Sequence, residues 1–154
     1  DIMTLAKGLG GGIPVAAIVA NEKASVFEPG DHGTTFGGQP FATAVALAVA
    51  RTLLDEGLPQ QAAEKGDRLQ RRLLALEDTH PEVDGVRGQG LLVAVSFKGD
   101  IAADVAAAAR ELGLLCNNVR PNAIRLMPPL TVSDDEIDRA VDILGEALKT
   151  VSDA

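Results

Sequence analysis

Ile2-Met3-Thr4-Leu5-Ala6-Lys7-Gly8-Leu9-Gly10-Gly11-Gly12-Ile13-Pro14 is the stretch on which the architecture turns. An apolar strand runs straight into a lysine, and the lysine into a turn with almost no side chains. The β-branched run Ile13 to Ala20 follows and reads as a second strand, with Pro14 at its start, where a missing N–H is tolerated. Two such strands cannot close a sheet or bury each other. The segment is therefore expected to be the end of a larger α/β domain whose beginning lies upstream of Asp1.

Working outward, residues 28–40 hold Pro29, Gly30, Gly33, Gly37, Gly38 and Pro40 and read as a loop. Pro40 suits the first turn of a helix. Phe41 to Leu54 is apolar on nearly every side, which predicts a helix buried all round and stopped by Gly57. From Leu58 to about Leu76 the pattern becomes amphipathic. Leu58, Ala62, Leu69, Leu73 and Leu76 share a face, and Arg68, Arg71 and Arg72 are expected on a solvated one. That change of pattern sets the domain boundary: 1–57 as the end of a large domain, 58–154 as a small C-terminal one. Beyond it, Leu91 to Phe97, Leu114 to Asn117 and Ala123 to Met127 read as strands, and Ile101 to Leu112 as an alanine-rich helix closed by Gly113. Ser133-Asp134-Asp135-Glu136 has the form of a capping box, and Ile137, Val141, Leu144 and Leu148 follow at core spacing. The three acids there suit a helix start and do not form a metal site.

Composition bounds the function. The 154 residues are 46% apolar and 23% charged, the balance of a folded domain. A net charge of −8 argues against binding to nucleic acid. The longest apolar-leaning run, Phe41 to Ala50, is about half of the ~20 residues that a membrane span needs. The single cysteine, Cys116, excludes an internal disulfide and a cysteine-based zinc site, and favours a reducing compartment, so a cytoplasmic protein is expected. With four Phe and neither Tyr nor Trp, the chain has few rings to stack on a ligand.

Three positions could carry chemistry. Lys7 ends a strand; a lysine held dry loses its ammonium form more easily, and the neutral amine can form a Schiff base with a carbonyl cofactor. The alternative is a lysine that simply ends a strand and points into water. In Asp31-His32-Gly33-Thr34-Thr35-Phe36-Gly37-Gly38-Gln39-Pro40, two hydroxyls and two glycines precede a helix start, where free N–H groups attract anions. A plain capping loop would use the same residues, and His32 could serve only to hold the loop. Arg125 stands between Ile124 and Leu126, and a planar carboxylate would match its guanidinium; an internal ion pair or a snorkelling edge residue is the alternative. Cys116 reads as a buried, inert thiol.

Taken together, these segments resemble a known family. Thr4 to Pro14 resembles the cofactor-lysine segment of the class III (ω-type) aminotransferases, which bind pyridoxal 5′-phosphate. His32 to Pro40 resembles their phosphate loop, and Asn122-Ala123-Ile124-Arg125-Leu126-Met127-Pro128-Pro129-Leu130 their carboxylate-arginine segment. The match spans nearly the whole chain, and Gly10-Gly11-Gly12-Ile13-Pro14 with Arg125 to Leu130 brings it closest to the acetylornithine aminotransferases of arginine biosynthesis. The implied fold is fold type I of the pyridoxal-phosphate transferases. The resemblance implies that Lys7 holds the cofactor and shuttles a proton between it and the substrate carbon. It further implies that Thr35 bonds the cofactor phosphate from a neighbouring subunit of a homodimer, that Thr34 lies beside the substrate, and that Arg125 clasps an α-carboxylate. The implied reaction moves the δ-amine of N-acetylornithine to 2-oxoglutarate. Other ω-amino donors (ornithine, succinylornithine, 4-aminobutyrate) are the near alternatives, and an inert dimerisation module is the distant one. Gln39 stands where the family more often has Asn. The family's phosphate turn, stacking ring and pyridine-pairing Asp would precede Asp1, so these residues alone are expected to be inactive.

Overall fold

The computed structural model describes residues 1–153. They form two compact units, Asp1–Gly57 and Leu58–Ala154.

In the first unit, strand β1 (Ile2–Leu5) pairs antiparallel with β2 (Ala17–Ala20), Ile2 opposite Ala20 and Leu5 opposite Ala17. β2 is shorter than the expected Ile13–Ala20 strand: residues 13–16 follow a 3-10 turn at Lys7–Gly10 and are irregular. Helix α1 (Pro40–Asp55) begins on Pro40 at its first turn, as the fixed φ of proline favours. It is not buried all round. Only Ala42 of its residues is buried, while Phe41, Leu47 and Leu54 are more than half exposed. The physical reason is plain from the rest of the unit, where Gly10 is the only other buried residue: residues 1–57 contain nothing that covers the helix. Ile2, Met3, Ile18 and Val19 are likewise exposed on both faces of the two-stranded ribbon.

The second unit has a core. Four strands, β3 (Val83–Gln89), β4 (Leu92–Phe97), β5 (Asn117–Arg120) and β6 (Ala123–Leu126), form an antiparallel sheet in the order β3-β4-β6-β5. Val93, Val95, Phe97, Ile124 and Leu126 point into the core, meeting helices α2 (Leu58–Leu74), α3 (Ala102–Glu111) and α4 (Asp134–Ser152). α2 buries Leu58, Ala62, Gly66, Leu69 and Leu73, the predicted face with Gly66 added. A Cβ on Gly66 would sit 2.2 Å from the carbonyl oxygen of Gly90, so the helix passes backbone to backbone over the β3–β4 turn. The capping box at α4 is formed: Glu136 N–H donates to Ser133 Oγ (3.2 Å) and Ser133 N–H to Glu136 Oε2 (2.7 Å). Those two bonds hold the Glu136 carboxyl below its ordinary range, chiefly through the Ser133 backbone N–H.

Three expectations are corrected. β3 is an additional strand; Gly85 and Gly88 disguise it, the first at a bulge (φ +140°) and the second where a side chain would meet the Leu92 backbone. The strand expected at Leu114–Asn117 starts instead at Asn117, because β5 is pinned by its hairpin with β6: Arg120 faces Ala123 across Pro121-Asn122. Finally, Arg68 and Arg72 are not on a merely solvated face. Arg68 Nη2 donates to Asp138 Oδ2 (2.5 Å), and Arg72 reaches Asp138 (3.1 Å) and Asp142 (3.0 Å), tying α2 to α4. No described helix is long and apolar enough to cross a membrane.

Candidate active site

Lys7 is set apart by its backbone. It has φ +55°, the only described non-glycine residue with positive φ, while Ala6 just before it is extended (φ −158°, ψ −165°). A side-chain-bearing residue in this region costs about 1–2 kcal/mol because Cβ crowds the carbonyl. Such a cost persists where surrounding structure imposes it, and such residues cluster at functional sites. The sequence around Lys7 gives the cause: Leu5 is fixed in the ribbon, Gly8 begins a turn, and the chain must reverse at the lysine to reach Gly10 and Gly11. Gly10 has no room for a side chain, since a Cβ would lie 2.7 Å from Val15 Cγ1. Lys7 itself is exposed and has no hydrogen bond or ion pair among the described residues. The expected dry surroundings are therefore not built by residues 1–57, for the same reason that α1 is uncovered.

The loop before α1 holds Thr34 and Thr35, both exposed and neither hydrogen-bonded among the described residues. Thr34 packs on the bare face of Gly37, whose Cβ would meet Thr34 Cγ2 at 2.1 Å. The loop is folded back by a reciprocal pair: Glu28 N–H donates to Asp31 Oδ2 (2.8 Å), and Asp31 N–H to Glu28 O (3.1 Å). The His32 ring stands edge-on to Phe27, centroids 6.2 Å apart, so its visible role is to pack the loop. α1 has no side-chain cap and no acid in its first turn, and the Thr43 hydroxyl is spent on the Gln39 and Pro40 carbonyls. Its first N–H groups are thus left for an anion. Thr34, Gly37 and Gly38 line a concavity of about 1020 Å³ with β2, Phe27 and His32; Lys7 is not among its walls.

Arg125 lies in the second unit, on β6. Ile124 and Leu126 on either side are fully or nearly buried, so alternation turns Arg125 to the face the helices leave open. It is half-buried and without a partner among the described residues. The internal ion pair considered from sequence is absent there. Cys116 is half-buried, and burial pushes its thiol up, as expected of an inert cysteine.

These residues suit the phosphorylated carbonyl cofactor that the resemblance implies. A free primary amine stands at a strained, glycine-flanked turn, and two free hydroxyls precede an uncapped helix start: one set can condense with an aldehyde, the other can hold an anion. What sequence reasoning missed was the strain at Lys7. Its only signal was a bulky residue placed between a strand and four glycines.

Comparison with known proteins agrees with the segments singled out. The family model described as aminotransferase class-III matches residues 1–148. The chain is similar to the acetylornithine aminotransferase of Methanothermobacter thermautotrophicus, 45% identical over 149 residues, covering 96% of this chain and 38% of that protein. In structure it is similar to the acetylornithine aminotransferase of Elizabethkingia anophelis (TM-score 0.89, 35% identity, 97% of this chain and 41% of that one). It also resembles an ornithine aminotransferase of Toxoplasma gondii with partial occupancy of PLP at its active site (TM-score 0.91, 33% identity, 99% and 37%). The chain spans about two fifths of the length of each.

Proposed function

Since the chain belongs to the class-III aminotransferases, we propose that it supplies the lysine, phosphate-loop and carboxylate-binding residues of a pyridoxal-phosphate transaminase that acts on N-acetylornithine and 2-oxoglutarate. In this reading residues 1–57 are the end of the large cofactor domain and 58–154 the small C-terminal domain. The observation that carries it is Lys7, an unpaired amine on the one strained non-glycine residue of the described chain, within a segment that matches the family's.

When bound, pyridoxal 5′-phosphate supplies an aldehyde that condenses with amines and a ring that takes up the electrons left at the substrate carbon. Lys7 Nζ anchors the cofactor at rest, gives way to the incoming amine, and then moves a proton from the substrate carbon. The strained backbone fixes where that nitrogen begins. Thr35 donates its hydroxyl to the phosphate, reaching it from the neighbouring subunit of a homodimer, and Thr34 borders the substrate. Arg125 holds the α-carboxylate of N-acetylornithine or glutamate in a bidentate pair. The setting is arginine biosynthesis in the cytoplasm.

The test uses the full-length protein that carries these residues. Reconstitution with pyridoxal 5′-phosphate should give a Schiff-base absorbance band that Lys7→Ala abolishes together with turnover. A Lys7→Ala protein that keeps both overturns the reading. For the donor, kcat/KM on N-acetylornithine should exceed that on ornithine and 4-aminobutyrate by about tenfold or more. Equal rates on ornithine would replace the narrower assignment with an ornithine-type transaminase.

A further inference from the structure

The open face of the four-stranded sheet carries a second cation that the reading above leaves unused. Arg87 on β3 lies opposite Ala94 on β4, Ala94 opposite Arg125 on β6, and Arg125 opposite Asn117 on β5. Directly opposed residues share a face, so Arg87, Ala94, Arg125 and Asn117 form one row across the sheet. It is the face away from Val93, Val95, Ile124 and Leu126, which fill the core. The two arginines stand two strands apart, ~10 Å at the usual ~4.8 Å spacing, with a single methyl group between them.

Both guanidinium groups lack a hydrogen bond or ion pair among the described residues. The flanking rows put Gln89 and Leu92 on one side and Gly85, Ser96 and Ala123 on the other, with no carboxylate among them. This is notable in a chain of net charge −8, in which Arg68 and Arg72 are neutralised by aspartates. Two bare like charges on one row repel each other, and a ligand with a negative group at each end relieves that repulsion twice over. A monoacid relieves it once.

We propose that Arg87 is a specificity residue, which engages the distal carboxylate of a dicarboxylic substrate whose other carboxylate is held by Arg125. The inference rests on the assignment of Arg125 as a carboxylate clamp. It concerns binding alone and adds no bond-making step.

The test is calorimetric binding to the full-length protein at low ionic strength, with 2-oxoglutarate as the diacid and 2-oxobutyrate as the monoacid. R87Q should weaken 2-oxoglutarate by about tenfold, the worth of one charged hydrogen bond, and leave 2-oxobutyrate within about twofold. R87K, which keeps the charge, should recover most of the loss and so separates a charge effect from a folding defect. Equal weakening of both acids by R87Q, or unchanged 2-oxoglutarate binding, overturns the proposal. R125Q should weaken both acids. If it weakens neither, the clamp assignment fails whatever R87Q does, and if the unaltered protein binds neither acid both ideas fall.

Discussion

Residues 1–57 and 58–154 use similar apolar material to opposite ends. In the second unit, periodicity and burial coincide: α2, α4 and β4 turn their apolar residues inward onto one core. In the first, Ile2, Met3, Ile18, Val19, Phe41 and Leu54 face outward, Gly10 and Ala42 alone are buried, and the one strained non-glycine residue is Lys7. A region that leaves apolar surface, hydroxyls, an amine and helix N–H groups all unmatched resembles the lining of a site more than a self-sufficient domain. The contrast separates residues that stabilise from residues that serve a ligand.

The strongest way to break that contrast is to cut into both units. Phe97→Ala in the second should cost about 3–5 kcal/mol, a filled core position emptied. Leu47→Ala in the first should stay within about 0.5 kcal/mol. Guanidinium unfolding of each variant decides it, and equal losses would mean that the first unit has a core of its own. Gly66→Ala is the next largest: the methyl group has to displace the Gly90 carbonyl, at about 1–3 kcal/mol, visible as a lowered midpoint with an unchanged slope. Lys7→Gly should act in the other direction, since it removes the left-handed strain. A gain of about 1 kcal/mol in local protection of the 7–11 turn, measured by amide exchange, accompanies complete loss of the amine's chemistry.

The smallest effect is electrostatic. Asp138 is held below the ordinary carboxylate range, first by its hydrogen bond from Arg68 and then by the charges of Arg68 and Arg72. Its value is lower folded than unfolded, so its contribution is complete above the unfolded value and disappears as pH falls through the folded one. Asp138→Asn should therefore lower stability near neutrality and flatten its decline in acid, which thermal melts across pH 2–7 would resolve. An unchanged acid profile would show that the α2–α4 ion pairs contribute nothing measurable.

Legibility in the sequence followed the same division. Helical faces in the second unit could be read because each apolar residue there answers to a core within the unit; the capping box could be read because its bonds are local. β3 could not, since its glycines are required by a neighbouring backbone rather than by the strand. Nor could the Arg68 and Arg72 pairs, whose partners lie about seventy residues later along the chain. In the first unit the same periodicity rules predicted a buried helix and a dry lysine, and both failed there: apolarity states that a surface wants cover, not that the cover lies in the same stretch of chain. Lys7, Thr34, Thr35 and Arg125 stood out by residue type and neighbours, but the cross-strand row that joins Arg87 to Arg125 needed the sheet register.

The ribbon of β1 and β2 has a practical corollary. Each strand keeps one unpaired edge, and neither face is polar, so none of the usual guards against intermolecular strand addition is in place. Purified alone and concentrated, residues 1–154 should polymerise through that ribbon, while charged replacements at Ile18 and Met3 keep the preparation monodisperse.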